Sequence, residues 1–234
     1  MIEGVPSYIS LTFLITVFAA VIIFISALKR APSASFAAKA LVFGIPFWMI
    51  FQAALAIGGF YQFTSSVPPR LMLFGPFLAM IAIATLFLFA RESLITNLPI
   101  KTLTIIHIVR VPIEFVLLWL FQAGQLPLAM TYHGYNFDIL SGITAPIVYW
   151  AAFRKVGVNK MLLTVWNCLA LVLLVIIVSL AIAAFPSPMQ TIAFDQPNRA
   201  VIFFPYVWLP TLVVPIVLFC HLASLYKLLT NRVS

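Results

Sequence analysis

The chain has 234 residues, a net charge of +8, a 64% hydrophobic composition and only 8% charged residues, against roughly 25% charged in an ordinary soluble domain. So much apolar surface cannot be hidden inside a protein of this size, and the surplus faces lipid, which excludes a water-soluble globular protein. Backbone in hydrocarbon must satisfy its own hydrogen bonds, so helices or a closed barrel remain. The apolar runs are about 20 residues long and lack alternation, which excludes barrel strands of about 10 residues.

The opening segment Met1-Ile2-Glu3-Gly4-Val5-Pro6 has no basic stretch, so the first apolar run reads as a retained helix and not as a cleaved signal. Seven runs are long enough to span: Ser7–Leu28, Ala40–Phe60, Leu71–Ala90, Thr102–Phe121, Phe137–Phe153, Met161–Phe185 and Val201–Leu225. The fifth is the shortest. The connections are short and hold Pro, Gly, Ser or charge, and no internal repeat is visible. The expectation is an all-α polytopic membrane protein, residues 1–234 forming a single transmembrane helix-bundle domain.

Lys29, Arg30, Lys39, Arg91, Lys101, Arg154, Lys155, Lys160, Lys227 and Arg232 fall in one set of connections, and only Arg70 and Arg199 in the other. Ten against two predicts that the basic end is cytoplasmic, with the N-terminus outside and the C-terminus inside. The positive charge is a topology signal and an attraction to anionic lipid. Spread over several loops, it gives no support to nucleic-acid binding.

Seven prolines fall within spans: Pro46, Pro76, Pro112, Pro146, Pro205, Pro210 and Pro215. Each removes a backbone donor and frees a carbonyl. They shape the bundle, and the three in the seventh run are placed to kink it and open a cavity.

The fourth run carries the strongest chemical signal. His107, Arg110 and Glu114 recur at i, i+3 and i+7 in an otherwise apolar stretch, so they share one helix face. Ionisable groups are costly in hydrocarbon and belong inside the bundle, paired. Arg110 and Glu114 are i,i+4 neighbours and are expected to pair within the helix. One reading is an ion pair that orients the helix; the other is a polar ligand-binding site at mid-membrane. Counting from Lys101 and Lys227, His107 and His221 each lie roughly 9 Å inside the basic end. Cys168 and Cys220 fall at similar depth. Two histidines and two cysteines at one level are ingredients of a metal site, and two histidines of a haem site. No ligand pair has zinc-finger spacing, so satisfied core residues are the competing reading.

At the other end, Thr131-Tyr132-His133-Gly134-Tyr135-Asn136-Phe137-Asp138 enters the fifth run, where Asn136 or Asp138 would cap the helix. Asp195 or Asn198 would do the same before the seventh. The functional alternative joins His133, Asp138 and Asp195 into an outward-facing cation or headgroup site. Gln52 and Trp208 complete the candidate ligand-binding set, and His133 the metal set. No zinc-protease, serine-hydrolase or phosphate-loop motif is present. The seventh run has no mid-membrane lysine for a retinal Schiff base.

The stretches His107–Glu114, Asn136-Phe137-Asp138-Ile139-Leu140-Ser141-Gly142-Ile143-Thr144-Ala145-Pro146 and Phe194-Asp195-Gln196-Pro197-Asn198 resemble segments of bacterial seven-helix membrane proteins without an assigned function. The resemblance covers most of the chain from the fourth run onward. It implies a bacterial inner-membrane setting and no activity. The expected function is binding or transport of a small molecule or ion at the Arg110–Glu114 centre. A metal- or haem-dependent enzyme and a structural, partner-binding protein are the alternatives.

Overall fold

The computed structural model describes residues 2, 4–30, 35–154 and 157–232, and every regular element in them is helical. Lys155, counted above for orientation, and Met1 and Glu3 of the opening segment lie outside the described residues. Seven helices follow in chain order: α1 (Ser7–Leu28), α2 (Phe36–Ile57), α3 (Arg70–Phe89), α4 (Ile100–Gln122), α5 (Ile139–Phe153), α6 (Lys160–Ala183) and α7 (Leu209–Leu229). Six of them are long and apolar enough to cross a bilayer, and α5, with 15 residues, is shorter.

The centre belongs to α4 and α7, whose apolar stretches are 67% and 61% buried within the protein, against 22%, 17% and 28% for α2, α3 and α6. The peripheral helices turn large apolar residues such as Phe43, Phe47, Phe89 and Leu169 outward, as lipid-facing helices do. Because lipid is as apolar as the core, the hydrophobic effect does not select this packing. Close approach and interhelical hydrogen bonds do.

Proline explains where the helices depart from ideal geometry. α3 is opened by a π turn at Leu73–Phe77 around Pro76, and α7 begins with a π turn at Leu209–Val213 containing Pro210. The two turns pack on each other. A Cβ on Gly75 would sit 2.6 Å from Thr211 Cγ2, so only glycine permits the contact. Backbone carbonyls released by these irregularities find side-chain donors from α2. Trp48 Nε1 donates to the Thr211 carbonyl (2.8 Å), which Pro215 cannot reach as a donor, and Gln52 Nε2 donates to Phe74 O (2.7 Å). Tyr61 donates to Gln52 Oε1 in turn, and burial holds its phenol above the ordinary tyrosine range, so it stays a donor. Trp208 Nε1 donates to Met49 O (2.9 Å).

α7 starts at Leu209 and not at Val201. Residues Ala200–Ile202 form one 3₁₀ turn and Phe203 is extended, so Pro205 precedes the helix and does not kink it. The loop before α7 is a clasp, not a cap. Gln196 Nε2 donates to Phe121 O (2.8 Å) and Leu126 O (2.7 Å), and Asn198 Nδ2 to Ala181 O (3.3 Å), tying the ends of α4 and α6.

At the basic end Lys227 is buried, and its ammonium donates to Thr96 O (2.7 Å) and Leu98 O (2.6 Å). It pins the α3–α4 connection to α7 and does not face solvent as a topology residue would. Lys227→Met, which leaves both carbonyls without that donor, is expected to cost about 2–4 kcal/mol. The check is thermal unfolding of the detergent-solubilised protein, with Lys101→Met, on an exposed lysine, close to the parent.

Candidate functional site

The polar centre forms where α5 starts inside the bundle. Arg110 lies 12 residues before the end of α4, which puts it about 18 Å below that end at 1.5 Å per residue. Asp138, the residue at which α5 begins, meets it there: Arg110 Nη1 and Asp138 Oδ1 are 3.0 Å apart and both side chains are buried. The preceding segment, Leu128–Phe137, therefore dips from the end of α4 to mid-depth as irregular backbone. That is tolerated at membrane depth only when the backbone is covered by protein; Met130, Thr131 and Asn136 turn inward and are buried, while Leu128, His133, Tyr135 and Phe137 are exposed.

Close helix approach makes the meeting possible. A Cβ on Gly142 would lie 2.8 Å from Val111 Cγ2 and 2.9 Å from the Val111 nitrogen. Gly142 thus lets α5 lie against α4 within one residue of Arg110. On the α4 side, Ile106–Val109 tightens into a 3₁₀ turn immediately before Arg110, the kind of mid-helix irregularity that often marks a functional position.

The pairing differs from the in-helix one expected. Among the described residues the ion pairs are Arg110–Asp138 and, at the surface, Arg232–Glu92. Glu114 instead accepts from Asn136: Asn136 Nδ2 is 2.7 Å from each carboxylate oxygen and also 3.0 Å from Met130 O. Asn136 Oδ1 accepts the Asp138 N–H at 3.0 Å. Asn136 thus fixes the Asp138 backbone while holding Glu114. Asp138 occupies the cap position of α5 but caps nothing with its side chain. Its carboxylate is turned onto Arg110, so the capping expectation is corrected, and so is its assignment to the outer rim.

One turn toward the basic end, His107 and His221 stack face to face, with ring centroids 3.9 Å apart and 19° between planes. Trp166 closes the cluster, 5.3 Å from His107 at a steep angle. His221 Nδ1 is 2.8 Å from Asn167 Oδ1, whose amide donates to Leu163 O, and Trp166 Nε1 donates to Thr144 Oγ1 (2.9 Å). In stacked rings the nitrogen lone pairs run side by side and do not converge on one point. Cys220 is buried beside this layer while Cys168 is exposed on α6. Among the described residues no group of three or more His, Cys, Asp or Glu side chains is arranged to hold a metal.

His133 is exposed in the dipping segment, its ring against Tyr132 at 4.7 Å. Asp195 is exposed as well, and neither shares a hydrogen bond or ion pair with Asp138. Gln52 and Trp208 serve the α2–α3–α7 junction described above. The centre therefore consists of His107, Arg110, Glu114, Asp138 and His221 from the sequence-derived set, with Asn136, Asn167 and Trp166 added. Asn136 was visible in the sequence only as a cap. The signal that an entire segment dips inward was the shortness of the fifth run.

Much of this centre's hydrogen-bonding capacity has no protein partner. Arg110 Nε and Nη2, both His107 nitrogens and His221 Nε2 are buried and unbonded, as are the hydroxyls of Ser141 and Ser224. Arg110 reaches the Ala170 carbonyl only at 3.5 Å.

The family model described as Domain of unknown function (DUF8737) matches residues 67–229, which include α3 to α7 and every residue of the centre. No curated protein and no solved structure matches the chain.

Removing one member of a buried ion pair is costly because the other is stranded, by about 3–5 kcal/mol. Arg110→Met and Asp138→Leu are each expected to destabilise by that amount, and the double variant by clearly less than their sum. The same cycle on Arg110 and Glu114 should give the smaller coupling. Thermal or denaturant unfolding of the four proteins of each cycle decides it.

Proposed function

The chain belongs to the domain-of-unknown-function family DUF8737, and from its polar centre we propose that it is a binding or transport-type membrane protein with a small-ligand site at Arg110. The site takes an anionic or hydrogen-bond-accepting ligand at mid-membrane. The observation that carries this reading is the set of buried, unbonded nitrogens on Arg110, His107 and His221. Each buried donor left unmade costs about 1–3 kcal/mol, and more when charged. A bundle needing only a packing device has no use for such a set. A ligand that accepts from the guanidinium removes the penalty.

The roles follow from the donor set. Arg110 is always charged and offers its remaining N–H groups in a planar fork. Asp138 and Ala170 hold one end of that fork, leaving Nε and Nη2 for the ligand. Asp138 is the counter-ion, and Glu114, kept by Asn136 and separated from direct pairing, is the group that links binding to a proton. His107 and His221 lie between this point and the basic end, and a neutral imidazole can accept on one nitrogen and donate from the other.

The dipping segment supports access from the end of α4, through Thr131–Asp138. It also supports a seventh crossing. α5 covers about 22 Å on its own, and the irregular segment leading into it completes the span. With the basic end cytoplasmic, the N-terminus lies outside, the C-terminus inside and access opens outward. The resemblance to bacterial proteins makes the inner membrane the expected setting.

The test uses the full chain in detergent, unfolded thermally with chloride, nitrate, phosphate or acetate at constant ionic strength. At least one anion should raise stability in a saturable way, by about 2.7 kcal/mol at 100 times its dissociation constant. The Arg110→Leu/Asp138→Leu double variant should lose that response while remaining folded. A parent protein that responds to none of these anions and passes none across reconstituted vesicles defeats the reading.

A further inference from the structure

A crevice of about 240 Å³ lies between α2 and α3, apart from the Arg110 centre, with α7 as its floor. Gly44, Leu78 and Ala82 form an exposed mouth, while Ile83, Leu212 and Ile216 at the floor are buried. Gly44 borders open space, since a Cβ placed there meets nothing within 4 Å. The π turns of α3 and α7, each in the first turns of its helix, meet at the opposite end of the crevice, where Gly75 packs on Thr211.

The wall offers nothing for a polar occupant. The Thr211 hydroxyl donates to Val207 O (2.8 Å), and its carbonyl already accepts from Trp48. A guest that enters must be hydrocarbon, since a polar guest would lose its hydrogen bonds.

Charge identifies what the hydrocarbon belongs to. The crevice runs toward Phe24, Leu41 and Leu86, which lie within a turn or two of the end of α1, the start of α2 and the end of α3. That end carries Lys29, Arg30, Lys39 and Arg91, all exposed. Among the described residues none of the four has an acidic partner, and the one carboxylate nearby in sequence, Glu92, is paired with Arg232. An apolar slot thus leads out of the membrane middle to four uncompensated cations. We propose that the crevice holds one acyl chain of an anionic phospholipid whose headgroup lies against Lys29, Arg30, Lys39 and Arg91. A zwitterionic lipid fits the same slot, but its own cation cancels the attraction. This inference needs only the membrane setting, and it stands or falls separately from the ligand site at Arg110.

Trp48 lines the crevice and reports on it. The full chain is reconstituted in phosphatidylcholine vesicles containing rising fractions of dibrominated-acyl phosphatidylglycerol or, in parallel, dibrominated-acyl phosphatidylcholine. The Trp48 signal is the difference between the parent and Trp48→Phe. It should be half-quenched at a mole fraction at least ~5-fold lower for the anionic lipid, given the attraction of each basic residue to an anionic surface. Raising salt from about 0.05 to about 0.5 M should shrink that preference in the unaltered protein. Replacing all four cations by Gln should bring the two titrations together, and Ala82→Phe, which fills the mouth, should reduce quenching by both lipids. Coincident titrations in the parent overturn the proposal, as does a preference that survives high salt or loss of the four charges. Protection of Trp48 from both lipids, with a concentration-dependent dimer, overturns it in favour of a second copy of the chain.

Discussion

The contact between Arg110 and Asp138 decides the architecture of half the bundle. A guanidinium at mid-membrane must be neutralised, and the neutralising carboxylate comes from a residue that sequence position places at the far edge. To deliver it, ten residues before α5 leave the surface and descend as irregular backbone. The descent needs Gly142, because the two helices cross with almost no room at Val111. It also needs Asn136, which holds Glu114 and the Asp138 N–H together. One buried charge thus explains a short helix, a dipping segment, a glycine contact and an asparagine with three acceptors.

How much of this the sequence carried follows from the physics of each element. Long apolar runs are dictated by bilayer thickness, and α1, α2, α3, α4 and α6 were placed to within a few residues. α7 was started too early because, in a helix begun at Val201, Pro205 and Pro210 would fall in the interior and each remove a backbone bond, whereas Pro210 is tolerated in the first turn of a helix begun at Leu209. Depth counted from lysine anchors placed His107 and His221 at one level, and their rings do stack. Loop position misplaced Asp138, since a segment between two spans is presumed to stay outside them. The i,i+4 rule favoured Arg110–Glu114, yet a partner brought by another helix won. Local spacing gives proximity, but a long-range carboxylate that must itself be buried gains more from the guanidinium than from any cap.

The two sides of the bundle use proline differently. Around α4, Pro112 lies next to the 3₁₀ turn and the polar centre, and local backbone irregularity accompanies charge. Around α3 and α7, prolines produce π turns whose spare carbonyls are taken by Trp48 and Gln52, leaving no free polar group. One side therefore retains unmet donors in its interior, and the other has met all of its own at the crevice wall. The contrast separates the proposed polar-ligand site from the proposed hydrocarbon slot within the same seven helices.

That separation bears on how the protein would move. α7 belongs to both sides: His221 stacks on His107, Thr211 packs on Gly75, and Lys227 is bonded to the α3–α4 connection. Any shift of α7 at its π turn must disturb the histidine stack, the crevice floor or the Lys227 anchor. The anchor joins a buried charge to two carbonyls and is costly to break, and the histidine stack is itself fixed by the hydrogen bond between His221 and Asn167. The helix is consequently tied at three levels, by Lys227 at its basic end, by His221 to Asn167 at the polar centre and by Thr211 to Trp48 at its π turn, so the polar centre and the crevice share one anchored element.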